Sequence, residues 1–194
     1  NGGFATHVVV EDEKFLVDID GLDPAIVAPY ACSGITVYNG LLKADFTRPD
    51  EWLAILGAGG LGLNAIAIAR AMGFGKIIAL DIDDAKLESA AQMGADKILN
   101  STGGEAVAEA LKKATDNKLF AVLDTFGSEH TGALAVSALA KAGRYVVVGQ
   151  HGGDFKMPQI WLPQKAMTVR GSHVGNSGHL RTLIDMYRQG KLKP

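Results

Sequence analysis

Apolar residues along this chain fall into two alternating patterns. Short, unbroken apolar runs at Trp52–Leu56, Lys76–Leu80, Lys97–Leu99, Ala121–Leu123, Tyr145–Val148 and Thr168–Arg170 predict strands covered on both faces. Between them the spacing changes to three and four. Leu61–Met72 carries Leu61, Ala65, Ile68, Ala69 and Met72 on one helical face. Asp84–Met93 and Glu105–Ala114 open with acids, which suits the positive end of a helix. Thr131–Ala140 runs into Lys141 and then Gly143, a basic last turn followed by a stop. Strand and helix alternating at this pitch predict an α/β fold, a doubly wound parallel sheet of six strands.

The first fifty residues follow another rhythm. Phe4–Val10 and Phe15–Val17 predict short strands, and Pro24–Gly40 predicts a helical pair broken near Ser33–Gly34. The expected organisation is a tail of one domain with a linking helix over 1–40, and a sheet domain over 41–194. A chain that opens at Asn1 in mid-pattern and stops at Lys193–Pro194 is expected to be a piece of a longer protein.

The first predicted strand runs into Gly57–Ala58–Gly59–Gly60–Leu61–Gly62, which opens a helix. In this strand–turn–helix setting G-x-G-x-x-G is the Rossmann signature. Gly57 makes the tight turn, Gly59 lets backbone approach a pyrophosphate, and Gly62 lets helix and strand close on each other. The free amides around Gly60 and Leu61 would face the phosphates at the positive helix end. The second strand ends in Asp81, nineteen residues past Gly62. A carboxylate there accepts from a ribose diol and repels a 2′-phosphate, so NAD is expected over NADP. The competing reading makes Asp81 a cap for the helix at Asp84–Met93, or the glycines only a tight turn. The loop alone also leaves FAD or S-adenosylmethionine open.

Composition narrows the field. The 24 glycines in 194 residues cluster at the ends of the apolar runs instead of forming a linker. With 19 basic and 21 acidic residues the net charge is −2, so no general nucleic-acid or acidic-membrane partner is expected. No apolar run reaches the ~18 residues of a membrane span, and no leader is visible, so a cytoplasmic location is expected. A single cysteine excludes an internal disulfide or a self-contained multi-thiolate zinc site.

That cysteine lies in Ala28–Pro29–Tyr30–Ala31–Cys32–Ser33–Gly34–Ile35–Thr36–Val37–Tyr38. Read alone, Cys32 is an apolar core residue. The order A-P-x-x-C-x-G-I-T-V-Y, the glycine loop, L-D-I-D-D-x-K-L from Leu80, V-V-V-G ending at Gly149 and R-G-S-H-V-G-N from Arg170 is more specific. It resembles the zinc-dependent alcohol dehydrogenases of the medium-chain dehydrogenase/reductase family, the yeast and bacterial type most, over essentially the whole chain. The resemblance implies the NAD(H)-binding portion of such an enzyme, preceded by a remnant of a β-rich, GroES-like catalytic domain.

It further implies a role for each motif residue. Cys32 would be one ligand of a catalytic Zn2+ whose other ligands lie outside this chain, a site type for which alcohol dehydrogenases are the standard Cys2His example. Thr36 would pack on the nicotinamide and count as both a catalytic and a cofactor-binding residue. Asp81, with Lys86, would take the adenosine ribose. Thr125 and Phe126 would border the adenine side, and Val148, Gly149 and Val174 would line the nicotinamide. Ser177 stands where many relatives carry an arginine for the pyrophosphate, so phosphate affinity is expected to rest more on the helix N-terminus than on Arg181 as a substitute.

The implied substrate is a small alcohol or carbonyl compound, and the chain alone is expected to be inactive. A homodimer or homotetramer through the last sheet edge, Met157–Val174, is also expected. Two alternatives stand beside this reading: a zinc-free quinone or enoyl reductase of the same superfamily, and a non-catalytic NAD-sensing or oligomerisation module. The histidines at 7, 130, 151, 173 and 179 show no helical pairing, and His173 alone falls near the expected nicotinamide. The pairs Asp83–Asp84 and Lys112–Lys113 read as solvated helix faces, and Trp52 and Trp161 as packing residues.

Overall fold

The computed structural model describes residues 3–45 and 50–192; the ends noted above, Asn1 and Lys193–Pro194, lie outside them. In chain order the elements are α1 (Pro24–Val27), α2 (Ser33–Ala44), β1 (Trp52–Leu56), α3 (Gly60–Ala71), β2 (Lys76–Asp81) and α4 (Asp84–Gln92). They continue with β3 (Lys97–Asn100), α5 (Glu105–Ala114), β4 (Leu119–Asp124), α6 (Glu129–Ala138), β5 (Arg144–Val147), α7 (Trp161–Lys165), β6 (Thr168–Gly171) and α8 (Ser177–Arg188). The six strands form one parallel sheet in the order β3-β2-β1-β4-β5-β6. The chain therefore winds outward from β1 on one side and from β4 on the other, and the ends of β1 and β4 flank the switch point where such sheets bind ligands.

Alternation along the strands explains the layers. Leu53, Ile55, Ile77, Ala79, Leu123 and Val146 face a core shared with α2, α3 and α8. Ala54, Leu56, Ile78, Leu80, Val122 and Tyr145 face a second core under α5 and α6. Each fully buried Leu or Ile contributes ~1.5–3 kcal/mol, so the central strands are apolar on both sides, whereas β6 at the edge is largely exposed.

All six predicted strands are present, β1 with the predicted ends and the others with ends shifted by one or two residues, and the four predicted helices of the sheet domain are present as α3 to α6. The helical pair at Pro24–Gly40 is present and breaks at Cys32, with a 47° bend between the two halves. The expected boundary between residues 40 and 41 falls within α2, whose Val37, Leu41 and Ala44 are buried in the first core.

One expectation is corrected. Phe4–Val10 and Phe15–Val17 form no strand; Glu13–Phe15 is a single 3-10 turn. A strand needs a neighbour for its amides and carbonyls, and no strand pairs here among the described residues. Phe4 and Val9 are almost wholly exposed.

Two helices were not predicted. α7 is a short turn, whereas α8 buries Leu183 and Ile184 and packs Leu180 and Tyr187 against the first core. No single helix among the described residues is long and apolar enough to cross a membrane.

Candidate dinucleotide cleft at the switch point

The glycine loop is held from three sides. Gly57 donates its N–H to Leu80 O (2.8 Å) and takes φ +91°, a conformation that favours glycine. Thr125 Oγ1 shares its proton between Leu56 O (2.8 Å) and Gly57 O (3.0 Å), stapling the end of β1 to β4. Asp81 Oδ2 accepts from Ala58 N–H (2.8 Å), while Oδ1 accepts from Ile82 N–H (2.8 Å) and Asp83 N–H (3.1 Å).

Asp81 does not cap α4. That role belongs to Asp83, whose carboxylate accepts from Ala85 and Lys86 amides. Asp81 instead fixes the loop, with lone pairs to spare for further donors.

The three glycines divide the work. A Cβ at Gly62 would overlap the Gly57 carbonyl, so helix and loop touch there. A Cβ at Gly59 or Gly60 would meet nothing within 4 Å among the described residues. The first intrahelical bond of α3 runs from Leu63 N–H to Gly59 O (2.9 Å), so the amides of Gly60, Leu61 and Gly62 have no intrahelical acceptor. A crowded inner side and an open outer side with aligned amides suit an anionic ligand laid across Gly59 and Gly60.

Beside the loop lies a cleft of about 220 Å³ that brings Gly57, Asp81, Lys86 and Phe126 together. Ile82, Ser101, His130, Thr131 and Leu134 are among its other lining residues. Thr125 is not on the surface of this cleft; it buttresses Gly57 from behind.

Phe126 is held by Asp124, which is fully buried. Asp124 Oδ1 accepts from Phe126 N–H (3.0 Å) and Gly127 N–H (2.8 Å), and Oδ2 accepts from Tyr145 OH (2.8 Å). Burial first, and then the charge of Asp124, pushes the Tyr145 phenol well above its ordinary pKa of 10.0. The turn after β5 locks against this one. Val148 and Gly149 amides donate to Asp124 O (2.9 and 3.0 Å), a Cβ at Gly149 would overlap the Phe126 peptide, and His151 stacks on Phe126 with centroids 4.4 Å apart.

Cys32 and Thr36 sit at the start of α2. Cys32 is exposed, and Thr36 donates its Oγ1 proton to Cys32 O (2.7 Å). The Thr36 oxygen is thus left to act toward a ligand as an acceptor. Asn64 links this end of α2 to the glycine loop by donating to Ser33 Oγ (3.2 Å) and Gly60 O (3.0 Å). Val174 lies across α2, its carbonyl accepting from Asn39 (2.8 Å).

Arg181 does not point to the loop; its guanidinium donates to Lys14 O (3.2 Å) and Leu16 O (3.3 Å). Among the described residues no cluster of three or more His, Cys, Asp or Glu forms a metal site. Asn39, Asn64, Asp124 and Tyr145 escaped sequence reasoning. An asparagine amid the apolar residues of a core-facing helix, as at 39 and 64, was a usable signal.

The chain matches the family described as zinc-binding dehydrogenase over residues 60–189. It is 35% identical over 196 residues to a NAD-dependent alcohol dehydrogenase of Sulfurisphaera tokodaii, covering 100% of this chain and 56% of that protein. The chain thus spans about half the length of the curated relatives it matches.

Two solved structures share the fold. The alcohol dehydrogenase of Aeropyrum pernix superposes with TM-score 0.81 at 30% identity, over 89% of this chain and 51% of that one. The D-arabinose dehydrogenase of Sulfolobus solfataricus superposes with TM-score 0.89 at 25% identity, over 100% of this chain and 61% of that one. With the family match extending from the first turn of α3 into α8, the chain belongs to the zinc-binding dehydrogenase family.

Proposed function

We propose that this chain is the NAD(H)-binding portion of a zinc-dependent alcohol dehydrogenase that transfers hydride between an alcohol and its aldehyde or ketone. One observation carries the reading: Asp81 both ties down the glycine loop and faces the cleft beside it. That carboxylate would accept from the adenosine ribose hydroxyls, with Lys86 on the same wall. The amides of Gly60, Leu61 and Gly62, beside open Gly59, would hold the pyrophosphate. Phe126, backed by Thr125, would border the adenine side, whereas Val148, Gly149 and Val174 would line the nicotinamide and limit water there.

Cys32 offers one exposed thiol at the nicotinamide side of α2, and three protein ligands are usual for a catalytic zinc. The remaining two would come from outside this chain. When bound there, zinc supplies Lewis acidity toward the alcohol oxygen. Thr36, its proton committed to Cys32 O, would pack and accept near the ring without relaying protons. The chain's own residues thus bind and orient the cofactor.

A small alcohol or carbonyl compound is the substrate class. The outer edge of β6, unpaired among the described residues, would pair with a second copy, giving a dimer or a tetramer of dimers. The test is alcohol-dependent reduction of NAD by the longer protein that contains this chain. Turnover that needs zinc and a primary or secondary alcohol is expected; turnover of quinones or enoyl compounds with zinc removed would overturn the reading.

A further inference from the structure

Three consecutive turns of α2 grip the end of β6 and the segment that follows it. Lys43 Nζ donates to Gly171 O (3.0 Å). One turn earlier, Asn39 Nδ2 donates to Val174 O (2.8 Å) and lies 3.4 Å from His173 O. One turn earlier again, the Ile35 carbonyl lies so close to Gly175 that a Cβ there would stand 2.6 Å from it. The gripped segment is under backbone strain. Val174 takes φ +45°, in the left-handed region that a β-branched residue avoids. Such a conformation persists only where the surroundings impose it, and Asn39 is the side chain bonded to that residue. Beside it, Ser172 Oγ is buried without a hydrogen-bond partner among the described residues.

The chemistry at Asn39 is selective. Its two neighbours are both carbonyl oxygens, so the position requires a donor. An aspartate has the same shape but would set a carboxylate oxygen against two carbonyls. Alanine would leave the segment free to relax away from the left-handed turn.

We propose that Asn39 is a positioning residue for the nicotinamide half of the cofactor, holding the backbone of residues 173–175, through the Val174 carbonyl, in the strained form that lines the ring. This inference rests on the NAD(H) reading above. Asn39 itself need touch neither substrate nor cofactor; it acts through Val174. The adenosine and pyrophosphate subsites, built on β1, β2 and the glycine loop, do not share this bond.

The test compares two ligands on wild type, Asn39→Ala and Asn39→Asp. NADH carries the nicotinamide, whereas ADP-ribose carries everything else. The loss of a hydrogen bond and of the imposed turn should weaken NADH about tenfold in Asn39→Ala. In Asn39→Asp the loss should be at least as large, and ADP-ribose should stay within about twofold for both variants on the same grounds. Equal weakening of both ligands, or no change in NADH, would overturn the positioning role. Wild-type protein that binds neither ligand would overturn the dinucleotide reading itself, a distinguishable result. Asn39→Asp keeps the side-chain volume, so the comparison survives if the alanine variant folds poorly.

Discussion

Gly59→Ala separates what the glycine loop needs in order to fold from what it needs in order to bind. Gly59 is the N-cap of α3 at φ −77° and ψ −164°, values open to any residue, and a Cβ there meets no atom of the described residues within 4 Å. Two stability effects then oppose each other. Restricting the unfolded chain contributes ~0.4–1 kcal/mol, and replacing a glycine cap with alanine costs a similar amount, up to ~1 kcal/mol. The net change should fall within about 1 kcal/mol, or about 2–4 °C in melting temperature for a chain of this size.

Binding should respond differently. The methyl group would occupy the surface across which a pyrophosphate approaches, and such overpacking costs ~1–3 kcal/mol. At about 1.4 kcal/mol per factor of ten, ~2 kcal/mol weakens NADH about thirtyfold. Gly62→Ala is the contrasting variant. Its Cβ would overlap the Gly57 carbonyl, a backbone atom, so it should lose both melting temperature and NADH affinity. Thermal melts with NADH fluorescence titrations on both variants decide the matter. Wild-type NADH affinity in Gly59→Ala would refute the placement of phosphate over Gly59, and a melt lowered as far as that of Gly62→Ala would refute the open-space argument.

Other outcomes follow from the same structure. Glu51→Ala strips the partner from Arg144, a pair at 2.7 Å with both side chains mostly buried, and should cost ~3 kcal/mol in denaturant titrations. Tyr145→Phe should cost ~1–2 kcal/mol at neutral pH, because Asp124 loses a donor. It should also change the alkaline limb. The folded state holds the Tyr145 proton above the ordinary pKa of 10.0, so that stability is complete below pH 10 and lost as pH rises beyond it. Denaturation midpoints between pH 9 and about 12 should therefore fall less steeply in the variant, with a residual slope from Tyr30, raised by burial and by Tyr187. Cys32→Ser in the longer protein should lose zinc, measured by metal analysis, and lose turnover while keeping NADH affinity; retained zinc would refute the ligand role.

Much of this fold was written in the hydrophobic pattern. Strands covered on both faces have no polar phase to hide, so Leu53–Leu56 and Ile77–Leu80 declare themselves without any partner being known. Phe4–Val10 misled for the converse reason. Its composition suits a strand, but a strand exists only when another chain segment accepts its hydrogen bonds. α8 was legible and missed: Asn176 caps it, and Leu180, Leu183, Ile184 and Tyr187 recur at helical spacing.

In the site, spacing placed Asp81 correctly at the end of β2. Its bond to Ala58 depends on how β1 and β2 align, Leu56 beside Leu80, which no single stretch of sequence states. The Asp124–Tyr145 pair and the Asn39–Val174 bond join residues distant in the chain, and only the assembled sheet brings them together.

The most direct measurement is the titration of this protein with NADH and NADPH under one condition. An Asp81 carboxylate facing the ribose predicts saturable NADH binding, with NADPH weaker by at least about tenfold, since a 2′-phosphate would meet like charge there. Tighter binding of NADPH, or binding of neither nucleotide, would contradict the account.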